Sequence, residues 1–394
     1  MKNDSPKSIA FVLDEMYVGG TEKSLIELLN AIDYSKYKIT LFLKNTSGAL
    51  QHLVNPKVSV RCWYTTDSQT ALINHVKKLE FVRAFEGLYY RCLARMHRND
   101  WVLNAHYATM CIPAVGKEKF DCVVAYQYCS PSVVAMALHN IPGKKKALFV
   151  HGKANRAPKL FPFLDKVYSE FDRIFCVSED ARIEFIRCFP VSGKKTSVMY
   201  NLLDDRNIYI QAQETIDVSF NPDCLNIVTV GRLSPEKGQD LIPHIARLLL
   251  DASCHFCWYL IGDGILCDSI ERDIEELNLS DHVILLGTKE NPYPYMYNCD
   301  LYVQTSKAEG WGLTVQEARI LRKPVIVPPL PVMHEQITHG KTGIITKDFS
   351  PDAFCSAIQE LAYSQELRAN IQKNLGQDRP DNLNEINKLY AFIN

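Results

Sequence analysis

Gln304-Thr-Ser-Lys-Ala-Glu-Gly-Trp-Gly-Leu-Thr-Val-Gln-Glu-Ala-Arg-Ile-Leu321, followed by Lys323-Pro-Val-Ile-Val327, holds a strand, a glycine turn, a helix and a second strand in succession. Leu301-Tyr-Val-Gln304 is β-prone, and from Gly312 onward Leu313, Glu317 and Leu321 fall on related helical turns. Gly310 and Gly312 flank Trp311, so the backbone there can approach a ligand with no Cβ in the way. The amides of Leu313 and Thr314 open the helix without intrahelical acceptors, at the positive end of its dipole. Such an end suits an anion. Two carboxylates, Glu309 and Glu317, bracket it. A phosphate on the amides, with sugar hydroxyls on the carboxylates, would satisfy every group. The bland alternative is a capped helix with two solvated glutamates, because a lone pair at this spacing recurs by chance. The Gly-Trp-Gly turn and a second cluster described below favour the ligand site.

Working outward, 394 residues exceed what one hydrophobic core usually supports, so two domains are expected. An apolar content of 47% and a charged content of 23% are those of a globular protein. The net charge of −1 is unevenly spread: residues 1–200 hold 28 Lys and Arg against 18 Asp and Glu, and the remainder 16 against 27. The first half therefore suits an anionic partner or surface, and nothing points to nucleic acid. The start lacks a signal-peptide apolar region, and no run approaches the roughly 20 apolar residues of a spanning helix. A cytoplasmic protein is expected, peripheral at the inner face of the plasma membrane if its basic half meets lipid, with its 13 cysteines as thiols. Cys254-His-Phe-Cys257 lies in a strand-like run without a second pair at zinc spacing, so it reads as core.

In the first half, Ser8–Leu13 reads as a buried parallel strand leading through Gly19-Gly20 into an amphipathic helix to about Ile32. This is a nucleotide-binding type of β-loop-α crossing without the Gly-x-Gly-x-x-Gly of dehydrogenases. Further strands are expected at 38–43, 58–60, 122–125, 146–150 and 173–177, separated by helices, which gives an alternating α/β layer. Residues 79–102 mix aromatics and aliphatics with Arg83, Arg91, Arg95 and Arg98. Such a helix either packs on its own sheet or lies on an anionic membrane. Val150-His151-Gly152-Lys153 ends a strand at the carboxyl edge where open α/β sheets place ligands. His151 either meets a phosphate or sugar hydroxyl there or caps a loop.

Tyr200–Asp205 and the polar run to Asp223 read as a join, after which a second α/β series begins. Leu225–Val230 is a strand whose carboxyl end runs into Gly231-Arg-Leu-Ser-Pro-Glu-Lys-Gly238. Arg232 and Lys237 can converge there on one anion, the arginine as a fork and the lysine as a point charge. The alternative is a solvated basic loop. Strands follow around Trp258–Ile261, ending in Gly262-Asp-Gly264, and at 283–286, 324–327 and 343–346. Asn291-Pro-Tyr-Pro-Tyr295 opens a short helix, and from Asp352 the chain is helical.

Gly231–Gly238, Gly262-Asp-Gly264, Glu309-Gly-Trp-Gly-Leu-Thr-Val-Gln-Glu317 and Lys323-Pro-Val-Ile326, in this order, resemble the retaining GT-B glycosyltransferases of family four, which build bacterial capsule and O-antigen polysaccharides. The match is dense over residues 225–345 and thin in the first half, where it rests on Gly19–Glu22, Val150–Gly152, Val177–Glu179 and Asn201. The resemblance implies two Rossmann-like domains facing an interdomain cleft. An acceptor domain would span 1–200, a nucleotide-sugar domain 201–375, and a C-terminal helix within 376–394 would cross back to the first. Arg232 and Lys237 would neutralise the donor diphosphate with the amides of Gly312, Leu313 and Thr314, and Glu317 would bond the ribose. Glu309 would orient the transferred sugar, with Gly310 and Trp311 beside it, and His151 would sit at the reacting centre. Gly20 would let the first domain's loop close over the phosphates, Gly262 would belong to the donor-binding set, and Lys289 and Tyr293 would flank the base. Trp311 stands where phenylalanine or tyrosine is frequent in the family.

The chemistry agrees with this reading. A leaving nucleoside diphosphate needs its growing charge stabilised by preorganised donors and cations. No Asp-x-Asp occurs in the chain, so no metal or other cofactor is expected. With no convincing protein nucleophile, same-face attack is expected, the acceptor hydroxyl giving its proton to the departing phosphate. A UDP-sugar is the expected donor and a glycan or lipid-linked oligosaccharide the acceptor. The rival readings are a GT-B-type epimerase or phosphorylase, and a non-catalytic nucleotide-sugar-binding subunit.

Overall fold

The computed structural model describes residues 6–45, 48–63, 81–112, 118–152, 158–377 and 382–394. The chain divides into two compact units, Met1–Leu202 together with Leu383–Asn394, and Leu203–Asn382.

The first unit is a seven-stranded sheet of β1 (Lys7–Leu13), β2 (Tyr37–Leu43), β3 (Ser59–Cys62), β4 (Phe120–Ala125), β5 (Gly143–Val150), β6 (Arg173–Cys176) and β7 (Thr196–Val198). Its order is β3-β2-β1-β4-β5-β6-β7, every pairing parallel. Parallel strands demand crossovers that cover both faces, and the core follows that demand. Ala10 and Val12 enter one apolar layer with Ala125, Leu148 and Val150, while Ile9, Phe11 and Leu13 enter the other with Val124 and Phe149. β7 is a strand the sequence does not announce: Thr196-Ser-Val198 is too short and too polar to stand out, and pairing with β6 makes it.

The last helix, Ile386–Ile393, belongs to this unit. Ile386, Leu389 and Ile393 are buried in the second layer, Tyr390 stacks on Tyr37 at 4.6 Å, and Lys145 Nζ donates to the Phe392 carbonyl at 2.6 Å. The entry to the helix is fixed by the Tyr200 amide, which donates to Glu385 Oε2 at 2.8 Å.

The second unit is a six-stranded parallel sheet of β8 (Leu225–Val230), β9 (Phe256–Ile261), β10 (Val283–Leu285), β11 (Leu301–Val303), β12 (Val325–Val327) and β13 (Ile344–Ile345), in the order β10-β9-β8-β11-β12-β13. All six residues of β9 are buried, as a central parallel strand requires. The strand order reverses between β8 and β11, the switch point where open α/β sheets bind ligands. The polar run expected as a join contains a helix, Asp205–Gln211, capped by the Asp204 carboxylate on the amides of Arg206 and Asn207. Cys254 and Cys257 are buried, and all 13 cysteines are free thiols.

Residues 79–102 form the helix Phe81–Met96 and lead into a second helix, Trp101–Met110, started by the Asp100 carboxylate on the amides of Val102 and Leu103. Leu79, Glu80 and Lys153, and the side chain of Arg83, lie outside the described residues.

Candidate active site

Within the second unit the glycine-built loops after β8, β9 and β11 meet at the carboxyl edge of the sheet. The loop after β9 lies against the loop after β8: Gly262 has φ +143, and a Cβ there would stand 2.0 Å from the Gly231 carbonyl. Only glycine fits. The Leu233 amide donates to the Asp263 carbonyl at 3.0 Å, and the Gly262 amide to the Gly287 carbonyl at 2.9 Å. On its other side the β8 loop grips the loop after β11. The Lys307 amide donates to the Glu236 carbonyl at 2.8 Å, and Thr305 Oγ1 to the Lys237 carbonyl at 3.1 Å.

This packing brings two of the predicted residues together. Lys237 Nζ donates to Glu309 Oε1 at 2.6 Å, with the carboxylate buried and the ammonium partly exposed. The same oxygen accepts from Gln304 Nε2 at 2.9 Å and Ser306 Oγ at 2.7 Å. Behind them the buried Tyr302 hydroxyl donates to Gln304 Oε1 at 2.7 Å, and Thr314 Oγ1 reaches the same atom at 3.3 Å. Three donors on one oxygen hold Glu309 in a single orientation and leave its Oε2 out of the network. Arg232 is exposed on the same loop. Burial pushes the Glu236 carboxyl upward, but its own backbone, Ser234, Arg232 and Lys237 outweigh that and hold it low, so both cations act on this loop.

The helix after the turn is Leu313–Ile320. Gly312, its N-cap, takes the left-handed conformation at φ 87, and no side chain caps the helix. Leu313 and Thr314 are partly exposed at its start. Trp311 is buried, its indole N–H bonded to Gln316 Oε1 and its carbonyl to Gln336 Nε2, so it fixes the turn from beneath. Gly310, beside it, is partly exposed. Glu317 is 1% exposed; its Oε1 accepts from the Tyr293 hydroxyl at 3.1 Å, and its Oε2 has no partner among the described residues. A buried carboxylate oxygen without a donor is costly and calls for one from outside the chain.

The Tyr293 hydroxyl supports Glu317, and Lys289 is tied to Asp217 Oδ2 at 2.5 Å and lies over the Tyr295 ring. Gln304, Ser306 and the supporting role of Tyr293 were not picked out from the sequence. The available signal was the polar alternation Gln304-x-Ser306 leaving a wholly buried strand, which places both side chains on one face.

His151 and Gly20 lie in the first unit. Gly20 opens the helix Gly20–Ala31, whose Ser24 Oγ donates to Asn201 Oδ1 at 2.7 Å and meets the Tyr126 hydroxyl at 2.7 Å. The Tyr126 ring packs on His151 with centroids 4.6 Å apart. Burial pushes the imidazole down to about 3, against a bond to the Tyr126 backbone that works upward, and Nε2 has no partner among the described residues. His151 stands at the sheet edge, partly exposed, where its surroundings disfavour the charged imidazole.

Two family models match the chain: Glycosyltransferase Family 4 over residues 18–207 and Glycosyl transferases group 1 over residues 213–377. A Campylobacter jejuni N-acetylgalactosamine-N,N'-diacetylbacillosaminyl-diphospho-undecaprenol 4-alpha-N-acetylgalactosaminyltransferase is 33% identical over 39% of this chain and 40% of its own length. A Staphylococcus aureus poly(ribitol-phosphate) alpha-N-acetylglucosaminyltransferase is 28% identical over 36% of this chain and 29% of its own. The chain thus spans less than half the length of these curated relatives. Among solved structures, Anabaena HepE in complex with UDP superposes with a TM-score of 0.70 at 19% identity, covering 98% of this chain and 99% of that one. S. aureus TarM with UDP, Fondaparinux and alpha-GlcNAc-glycerol gives 0.72 at 14% identity over 98% and 100%. With two parallel-sheet units and two family models that between them run from residue 18 to 377, the chain belongs to the GT-B glycosyltransferases.

Proposed function

We propose that the protein is a retaining, metal-independent glycosyltransferase that moves a sugar from a UDP-sugar to a glycan or lipid-linked oligosaccharide in surface polysaccharide synthesis. The observation that carries this reading is Glu317, a buried carboxylate with one oxygen held by Tyr293 and the other without a donor among the described residues, in the second turn of the helix that starts at the capless Gly312 terminus. A ribose hydroxyl on that oxygen and a diphosphate at the helix start would complete both. UDP in the HepE and TarM structures supports the nucleotide, and the undecaprenol diphosphate in the Campylobacter enzyme's name supports a lipid-linked acceptor.

Arg232, Lys237 and the amides at the helix start would stabilise charge on the leaving diphosphate without metal. Glu309 Oε2 would accept from the hydroxyls of the transferred sugar. The bond from the anomeric carbon to the phosphate oxygen breaks with its electron pair on that oxygen. The acceptor oxygen bonds the same face of the sugar and passes its proton to the departing phosphate.

Purified protein is tested with UDP-, GDP- and CDP-sugars for thermal stabilisation, then for transfer with chelator present. Arg232→Ala and Lys237→Ala should each cut transfer about a hundredfold or more. Near-normal turnover in either variant counts against the phosphate assignment. Donor turnover without acceptor would instead identify an epimerase or phosphorylase.

A further inference from the structure

The helix Phe81–Met96 inverts the usual order of an amphipathic element. Phe85, Leu88, Tyr89, Cys92 and Met96 recur at the spacing of one helical stripe. That stripe faces solvent, with Phe85 73% and Met96 75% exposed, while Ala94, on the opposite side, is buried. Trp101, the first residue of the next helix, is also exposed, at 62%. Large apolar side chains gathered in one exposed patch mark an interaction surface.

Beside the stripe runs a row of cations. Arg91, Arg95 and Arg98, four and three residues apart, line a hollow of about 510 Å³ between the two helices, with Ala94, Asn104, Ala108 and Cys111 completing its wall. Asn104 Nδ2 donates to the Ala94 carbonyl at 2.8 Å and ties the helices together, so the arginine row is held against a fixed wall. An apolar stripe flanked by guanidinium groups, in the half of the chain that carries the excess of positive charge, matches the layering of a bilayer surface, acyl chains beside phosphates.

We propose that this helical pair is a docking face for an anionic lipid bilayer. Phe85, Leu88, Tyr89 and Met96 enter the acyl boundary, and Arg91, Arg95 and Arg98 meet lipid phosphates at headgroup level. The docking is interfacial, since no described helix is long and apolar enough to cross a membrane. It deepens the acceptor side of the function proposed above, placing the enzyme where a lipid-linked acceptor would be found. The contact itself rests on this pair of helices alone.

The full chain is sedimented with vesicles of phosphatidylcholine and of an equal mixture of phosphatidylcholine and phosphatidylglycerol, at low and high salt. Wild type should pellet with the mixture, less so at high salt, and not with phosphatidylcholine alone. Arg95→Glu with Arg98→Glu should lower the bound fraction about tenfold or more. Phe85→Ser with Met96→Ser should lower it even at low salt, both pairs keeping wild-type thermal unfolding. The proposal is overturned if the mixture binds no protein, or if neither pair of substitutions changes binding. It is equally overturned if the stripe proves to join two copies, seen as a dimer abolished by Phe85→Ser and Met96→Ser, or if inorganic phosphate binds while vesicles do not. UDP stabilisation is read on the same samples. Its absence beside intact vesicle binding would count against the donor reading and leave the docking face standing.

Discussion

Tyr293 shows how one hydroxyl can govern a carboxylate. It holds Glu317 Oε1 and so sets where the opposite oxygen points. Tyr293→Phe should raise the donor KM about tenfold with kcat little changed, because a hydrogen bond to a charged group is lost from ground and transition states alike. Steady-state kinetics with varied donor checks this; a collapse of kcat at constant KM would move Tyr293 into the chemistry itself. His106 gives a pH signature of a different kind. Burial, with His139 adding to it, pushes its imidazole down from 6.5 to about 4. The unfolded chain takes up that proton at higher pH than the folded one. Stability is therefore whole above about pH 6.5 and falls as pH drops toward 4, by about 3 kcal/mol for this group. His106→Gln should flatten that part of the curve of urea midpoint against pH, and an unchanged slope would assign the acid sensitivity elsewhere.

The last helix has the clearest energetic role among the elements. Leu389 is fully buried in the first unit, so Leu389→Ala should cost about 3 kcal/mol. The loss should appear in the first unit's urea transition, with that of Leu203–Asn382 unmoved. Elements of this fold were legible where apolar runs were continuous: Leu225–Val230 stands at its expected bounds, and Lys146–Val150 is the inner part of a strand beginning at Gly143. Legibility failed where structure depends on a partner. Thr196–Val198 is a strand only because β6 lies beside it, and Asp205–Gln211 is a helix set inside a polar run by one aspartate cap. The site divides in the same way. Glu309, Glu317 and Lys237 stood out because loops and glycines surround them. Gln304, Ser306 and Tyr293 did not, because buried polar support reveals itself only through what it touches.

For the whole molecule, the positive half and the negative half of the sequence largely coincide with the two units, and within the first unit the arginine row beside the Phe85 stripe marks one surface. The second unit is a continuous stretch of chain, whereas the first is completed by Leu383–Asn394. A ribosome makes the strands of the first unit early and the helix that seals them only after all of Leu203–Asn382 has emerged. The nascent polypeptide therefore carries an uncovered apolar seam along Tyr37 and Phe175 throughout synthesis of the later unit. Order of translation and order of completion run opposite ways here, and the seam is where a chaperone would be needed during the wait.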